Sequence, residues 1–345
     1  MAANVRFYVF FAIYLFLGII EVFGNLWIVA TIYFVGRLRR KEFYLPAWLA
    51  VADFTWGAAM LMSGIRRMYL VQNGVTRGFT TRWVCVLVPS SFATIVGGLA
   101  VPGISFLISV DRLVACGSIV MYTKIKASAI NYGGMLIFAL SLVFMGVCYI
   151  TSYLHPRIED THVFCYGNLI LVPIMSKAFT YWQWTLASLS VIIYVVAILC
   201  LHCKSESKQL SASLQRSKER QAKVTKMLAF VIFSSFVLYV VPVTVASLGN
   251  TIPLPRSVFH WISPLAALMI TFNSANNLFI YLIKNKELRA AMLSLIWYKG
   301  SKTQVSDIGM LNANRSSVIS NLPVTRVVSN VHNERNSSSA ASAFE

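Results

Sequence analysis

The stretch Asn273–Arg289, NSANNLFIYLIKNKELR, closes a long apolar segment, yet it carries three asparagines and a serine in its first five residues. A basic, amphipathic run follows at once, from Lys284 to Arg289. An apolar segment of this length is a candidate to span a membrane. Amides are costly inside a bilayer unless neighbouring helices supply partners. The stretch therefore implies a bundle of spans with a polar interior, followed by a helix that leaves the bilayer along its surface.

The whole chain agrees. It has 345 residues, of which 57% are hydrophobic and only 12% charged, which is too apolar for an ordinary soluble domain. The net charge of +18 does not point to nucleic acid. Its Lys and Arg residues fall in short clusters between apolar runs, the pattern of membrane topology. The six cysteines are widely spread, without a CxxC or a Cys/His cluster of metal-ligand spacing, so no zinc site is expected. The first apolar run, Tyr8 to Val35, is far longer than a signal-peptide core and reads as a retained span.

Seven segments reach the length of about 20 residues that a spanning helix needs: residues 8–35, 44–70, 83–115, 130–153, 178–203, 225–248 and 259–283. Helices are the form that satisfies the backbone of each span in lipid. Thirteen Lys and Arg fall in the loops after spans one, three and five, against eight on the other side. This bias puts the N-terminus outside and the C-terminus in the cytoplasm, although Arg66, Arg67, Arg77 and Arg82 dilute it. The predicted organisation is an all-α membrane protein: a short extracellular N-terminus (1–7), a seven-transmembrane bundle (8–283), a short amphipathic eighth helix on the inner leaflet (284–298) and a cytoplasmic tail (299–345). Leu288, Met292 and Leu295 form the apolar stripe of the eighth helix. The tail is rich in Ser and Asn, poor in aromatics and expected to be disordered. No internal repeat is visible, which disfavours a transporter or channel.

Few ionisable residues fall at membrane depth: Glu21, Asp53 and the Asp111–Arg112 pair. Asn25, Asn273, Ser274, Asn276 and Asn277 add amides and a hydroxyl. Each of these can be glue between helices. Together they can also form a shared hydrogen-bond network, or hold a small cation with water.

In their order along the chain these pieces resemble a rhodopsin-like (class A) G-protein-coupled receptor over about residues 8–297. The matching motifs are Gly24-Asn25 in helix one, Leu49-Ala50-Val51-Ala52-Asp53 in helix two and Asp111-Arg112-Leu113 ending helix three. Asn273-Ser274 and Asn277-Leu278-Phe279-Ile280-Tyr281 end helix seven, and Pro242 sits in helix six. Leu113 and Leu278 depart from the usual Tyr and Pro, and Tyr239-Val240 stands where many such receptors carry a Trp. Helix three contains Pro102 and is about two residues longer than usual between Cys85 and Arg112, which suggests a local bulge. Asp-Arg-Leu together with NNLFIY is similar to the nematode serpentine chemoreceptors of the Srsx group.

The resemblance implies roles. Asp111 would pair with Arg112 at rest, and Arg112 would release to meet a heterotrimeric G-protein. Tyr194 and Tyr281 would approach each other through water in the active state. Phe236 would face inward on helix six, and a kink at Pro242 would let that helix swing outward. Asp53 with Asn25, Asn273, Ser274 and Asn277 resembles a sodium pocket. Val101 falls where helix three usually adds a hydroxyl, so a hydrated network knitting helix seven to helices one and two is the firmer expectation. No other cofactor is expected. Cys85 and Cys165 would form a disulfide outside the cell. The Ser-rich tail would suit receptor kinases and arrestin.

For the ligand, helix seven has no Lys in its middle and the outer half of helix three has no Asp. A retinal Schiff base and an amine salt bridge are therefore not expected. Phe92, Thr94, Tyr181, Trp182, Trp184, Tyr239, His260 and Trp261 offer an apolar, aromatic pocket suited to a small organic molecule. A short peptide stays open, because Arg66, Arg67, Arg82 and Arg256 could attract an acidic one. An enzyme is not expected: the spans hold no nucleophile–base pair, and the five His are scattered.

Overall fold

The computed structural model describes residues 2–75, 78–155, 161–165, 170–203, 212–245 and 256–297, with side chains described for most of these but not for 2–6, 37, 119, 212–220, 256–264 or 296–297. Among the described residues seven helices are long and apolar enough to cross a membrane. Helix one is Ala2–Phe34, helix two Lys41–Gln72, helix four Ala127–Leu154, helix five Pro173–Cys203 and helix seven Arg256–Lys284. Helices three and six depart from a simple rod. Met1–Leu295 forms one compact unit and Ile296–Glu345 a second. The predicted tail, 299–345, and its serines lie outside the described residues.

The expected third span, 83–115, is divided. A short helix, Arg82–Val86, carries Cys85, and helix three proper is Pro89–Gly117. Pro89 explains the break. Its ring suits the first turn of a helix, where the missing N–H costs nothing, and opposes continuation from before. The extra length expected as a bulge in helix three is thus taken up at Leu87 and Val88. The bulge lies instead in helix six, where Ala212–Ser235 runs into a π-helical turn, Phe236–Val240, just before Pro242. A proline that withholds its N–H frees the carbonyl four residues back, here that of Leu238, which lies within the π-turn.

Helix three is the axis of the bundle, its span largely buried, whereas helices four and five turn most of their surface outward. Small residues allow close packing. A Cβ on Gly97 would lie 2.9 Å from the Trp56 backbone nitrogen, and one on Gly134 would lie 2.4 Å from the Trp48 ring. Trp48 also donates its indole N–H to Asn131 Oδ1 at 2.8 Å, tying helix two to helix four. A Cβ on Gly24 would meet Leu278 Cδ2 at 2.3 Å. The leucine that replaces the expected proline is therefore seated over a glycine of helix one.

One end of the bundle is closed by a loop. Phe79–Thr80 pairs antiparallel with Thr161–His162, and Cys85 is disulfide-bonded to Cys165, 80 residues away in sequence. Arg66 donates to the Val163 carbonyl at 3.0 Å, and Arg67 to those of Phe164 and Cys165 at 3.1 and 3.3 Å. Arg67 is buried. These two arginines, which dilute the charge bias and were candidates to attract an acidic ligand, are fasteners for the loop.

At the other end, Ser118 breaks the backbone after helix three. Its hydroxyl caps the short helix Ile119–Lys124 by accepting from the Met121 N–H at 3.3 Å, as N-cap serines do. A further helix, Lys286–Trp297, follows helix seven, with Leu288 and Met292 buried.

Candidate functional site

Arg112 lies at the Ser118 end of helix three and is only 1% exposed. A guanidinium there needs several acceptors. Its Nε donates to Asp111 Oδ2 at 2.9 Å, and Nη2 donates both to the same carboxylate and to the Tyr122 hydroxyl, the latter at 3.1 Å. Nη1 donates to Gln221 Oε1 of helix six at 2.9 Å, and Gln221 Nε2 donates in turn to Glu42 Oε1 of helix two at 3.1 Å. One arginine thus anchors a chain of bonds through helices three, six and two. The capped turn after Ser118 places Tyr122 beneath it, and burial holds that phenol above its ordinary titration range. Lys41 stands 3.9 Å from the Tyr122 ring centroid on the other side.

The expected Asp111–Arg112 pairing is present in this geometry. Gln221, Glu42 and Tyr122 were not foreseen as its partners. Gln221 lies in a basic, polar stretch four residues before the expected start of span six, so hydropathy hides it.

In the middle of the bundle Asp53 is fully buried. Its Oδ1 accepts from the Ser274 hydroxyl at 2.8 Å and its Oδ2 from Asn277 Nδ2 at 3.0 Å. Asn273 Oδ1 accepts from Ser234 and Ser235 of helix six at 3.3 and 3.2 Å, and Asn276 Nδ2 donates to Ser234 at 2.7 Å. The amides therefore knit helix seven to helices two and six, not to helices one and two as expected. Asn25 spends its Nδ2 on the Glu21 carbonyl of its own helix at 3.0 Å. On helix three Val101 is apolar, and the next hydroxyl, Ser105, donates to the Val101 carbonyl at 2.8 Å.

Several buried polar atoms of this core have no partner among the described residues: both carboxylate oxygens of Glu21, Asn25 Oδ1, Asn277 Oδ1, Asn273 Nδ2 and the Tyr281 hydroxyl. Glu21 lies against helix two, its Oε2 2.9 Å from where a Gly57 Cβ would sit. Tyr194 donates its hydroxyl to the Thr225 carbonyl of helix six, and Tyr281 is buried.

Towards the disulfide end a second junction follows from Pro102. It has no N–H to offer the Gly98 carbonyl four residues earlier. That carbonyl accepts from Gln183 Nε2 of helix five at 3.0 Å and lies 3.4 Å from the Tyr239 hydroxyl of helix six. The Leu99 carbonyl accepts from Trp182 Nε1 at 3.1 Å. Trp182 and Tyr239 are thus brought together on helix three, and Gln183 joins them unforeseen. Thr94 bonds within its own helix, to the Ser90 carbonyl. Phe92 and Tyr181 turn outward, at 38% and 65% exposure, whereas Trp184, 46% exposed, donates its indole N–H to Thr244 Oγ1 of helix six at 3.1 Å. The side chains of His260 and Trp261 lie outside the described residues. Phe236 is 42% exposed, which corrects its expected inward orientation. The π-turn beginning at Phe236 adds a residue to the repeat and hands the inward face to Tyr239 and Val240, both buried.

The family described as serpentine type 7TM GPCR chemoreceptor Srsx matches residues 18–296. The chain belongs to this family. No curated protein matches it. As an Srsx-family member it is a multi-pass membrane protein of the G-protein-coupled receptor type, and its disulfide, polar core and buried Arg112 occupy the matched region. Srsx is a family of receptors, not of enzymes.

Proposed function

We propose that the chain is a chemosensory receptor that binds a small organic cue on the disulfide side and activates a heterotrimeric G-protein on the Arg112 side by outward movement of helix six. The observation that carries this reading is the bond chain Arg112–Gln221–Glu42, which restrains helix six from helices three and two. A cue that moves Tyr239 acts on the same helix, beside the helix-three carbonyl freed by Pro102. In this reading the N-terminus is extracellular, the eighth helix lies on the inner leaflet, and the tail meets receptor kinases and arrestin. The commitment of Arg66 and Arg67 to the loop favours a small molecule over an acidic peptide.

The test is G-protein activation in cells expressing the chain, challenged with biological extracts before and after protease digestion, with Arg112→Ala as control. Activity that survives digestion and needs Arg112 supports the proposal. Activity destroyed by digestion moves the chain to the neuropeptide receptors, and a current or flux without a G-protein overturns the receptor mechanism.

A further inference from the structure

At the Arg112 end a cavity of about 620 Å³ opens between helix two, helix six, helix seven and the helix that follows. Four ammonium groups line it: Lys223 and Lys226 from helix six, Lys284 from the end of helix seven and Lys286 from the next helix. All four residues are exposed. Its apolar wall includes Phe43, Met227 and Phe230. Two carboxylates also reach the cavity. Glu287 pairs with Arg40 at 3.6 Å. Glu42 Oε1 accepts from Gln221, and its Oε2 is buried with no hydrogen-bond partner among the described residues, so the four ammonium groups outnumber the two carboxylates. Among the described residues no carboxylate forms an ion pair with any of the four lysines. The Lys284 Nζ stands 4.3 Å from the centroid of the Phe230 ring.

Four like charges around one cavity repel one another unless an anion joins them. The depth of the cavity says what kind of anion. Lys223 and Lys226 stand in the first turns of the apolar span Gln221–Val245, and Lys284 is the last residue of the span Leu265–Lys284. These are the boundaries of two spans, where headgroups lie and where basic pockets between helices take phosphorylated lipids. The exposed face of Phe230 continues the apolar wall outward, as an acyl chain would require.

We propose that this cavity binds an anionic phospholipid carrying more than one phosphate on its headgroup. The headgroup sits among the four lysines, with the chains running along Phe230. The side of the membrane it faces rests on the orientation given above. Binding itself does not depend on G-protein coupling, so the two can fail separately.

The test uses the full-length receptor in nanodiscs of neutral lipid, titrated with phosphatidylinositol bisphosphate, phosphatidylserine or soluble inositol trisphosphate. The bisphosphate lipid should bind at least about tenfold more tightly than either other probe, and more weakly as salt rises. Lys223→Gln with Lys226→Gln, and separately Lys284→Gln with Lys286→Gln, should each weaken it about thirtyfold. The four Lys→Arg changes should retain binding, which separates loss of charge from loss of fold. Equal binding of phosphatidylserine, equal binding of inositol trisphosphate, or unchanged affinity in both Gln pairs would overturn the proposal. So would a phosphorylated peptide of this chain's Ser-rich tail that occupies the site in preference to the lipid.

Discussion

Gln221→Leu should raise the activity of the receptor without any ligand. The substitution nearly preserves volume but removes two bonds: the one Gln221 accepts from Arg112 Nη1 at 2.9 Å and the one it donates to Glu42 at 3.1 Å. A hydrogen bond to a charged group contributes about 1.5–3 kcal/mol. If outward movement of helix six breaks the Arg112 bond, its prior removal shifts the resting balance by the same amount. That corresponds to roughly tenfold to a hundredfold. A receptor active about 1% of the time would become active roughly 10–50% of the time. The assay is basal nucleotide exchange on purified G-protein by reconstituted receptor, normalised to receptor amount. Basal exchange that changes less than twofold in a Gln221→Leu receptor of unaltered thermal midpoint would refute the claim that this chain of bonds restrains helix six.

Three further outcomes follow from packing and bonding. Gly97→Ala should lower stability by about 1–3 kcal/mol, because its Cβ would meet the Trp56 backbone at 2.9 Å, whereas Gly24→Ala meets only the flexible end of Leu278 and should cost less; thermal unfolding of the two purified variants checks the order. Cys165→Ser should lower the midpoint of thermal inactivation as reducing agent does in the parent, with an upper limit of about 4.5 kcal/mol for a closed loop of this length, and reductant should have no further effect on the variant. Tyr239→Phe should cost less than about 1 kcal/mol of stability, since its hydroxyl stands 3.4 Å from the Gly98 carbonyl; a normal midpoint with a lost response to the cue would place that hydroxyl on the ligand or the switch.

The spans were legible because hydropathy and length suffice to mark a helix in lipid, and the motif residues were legible because polar side chains are rare there. What the sequence concealed has local causes. The apolar run through Leu87 and Val88 reads as continuous helix, and only the place of Pro89 at a first turn reveals the break. A repeat of 3.6 residues carries no sign of a π-turn, so Phe236 was assigned to the wrong face. Arg66 and Arg67 count as plain positive charge until the loop carbonyls they bind are known. Glu21 stood out as a buried acid, but no pattern in the sequence placed it against Gly57 of helix two.

The two ends of the bundle and its middle differ in how well their polar groups are satisfied, and that difference is where a switch can reside. At the disulfide end the Gly98 carbonyl freed by Pro102 and the neighbouring Leu99 carbonyl find donors on helices five and six. At the other end Arg112 has an acceptor for each of its three nitrogens. Between them, acceptors on Glu21, Asn25 and Asn277 that have no partner among the described residues lie in the same core as donors on Asn273 and Tyr281 that have none either. Each such group costs about 1–3 kcal/mol relative to a bonded one, so an arrangement that pairs them, directly or through water, gains what this one forgoes. Helix six carries Ser234 and Ser235 into that core and Gln221 into the Arg112 chain. Moving it would break the Arg112–Gln221 bond and the Ser234 and Ser235 bonds to Asn273, while letting the core rearrange so that Asn273 Nδ2 and the Tyr281 hydroxyl meet acceptors. Loss and gain set against each other on one helix can leave the states within a few kcal/mol, close enough for a small ligand to choose between them.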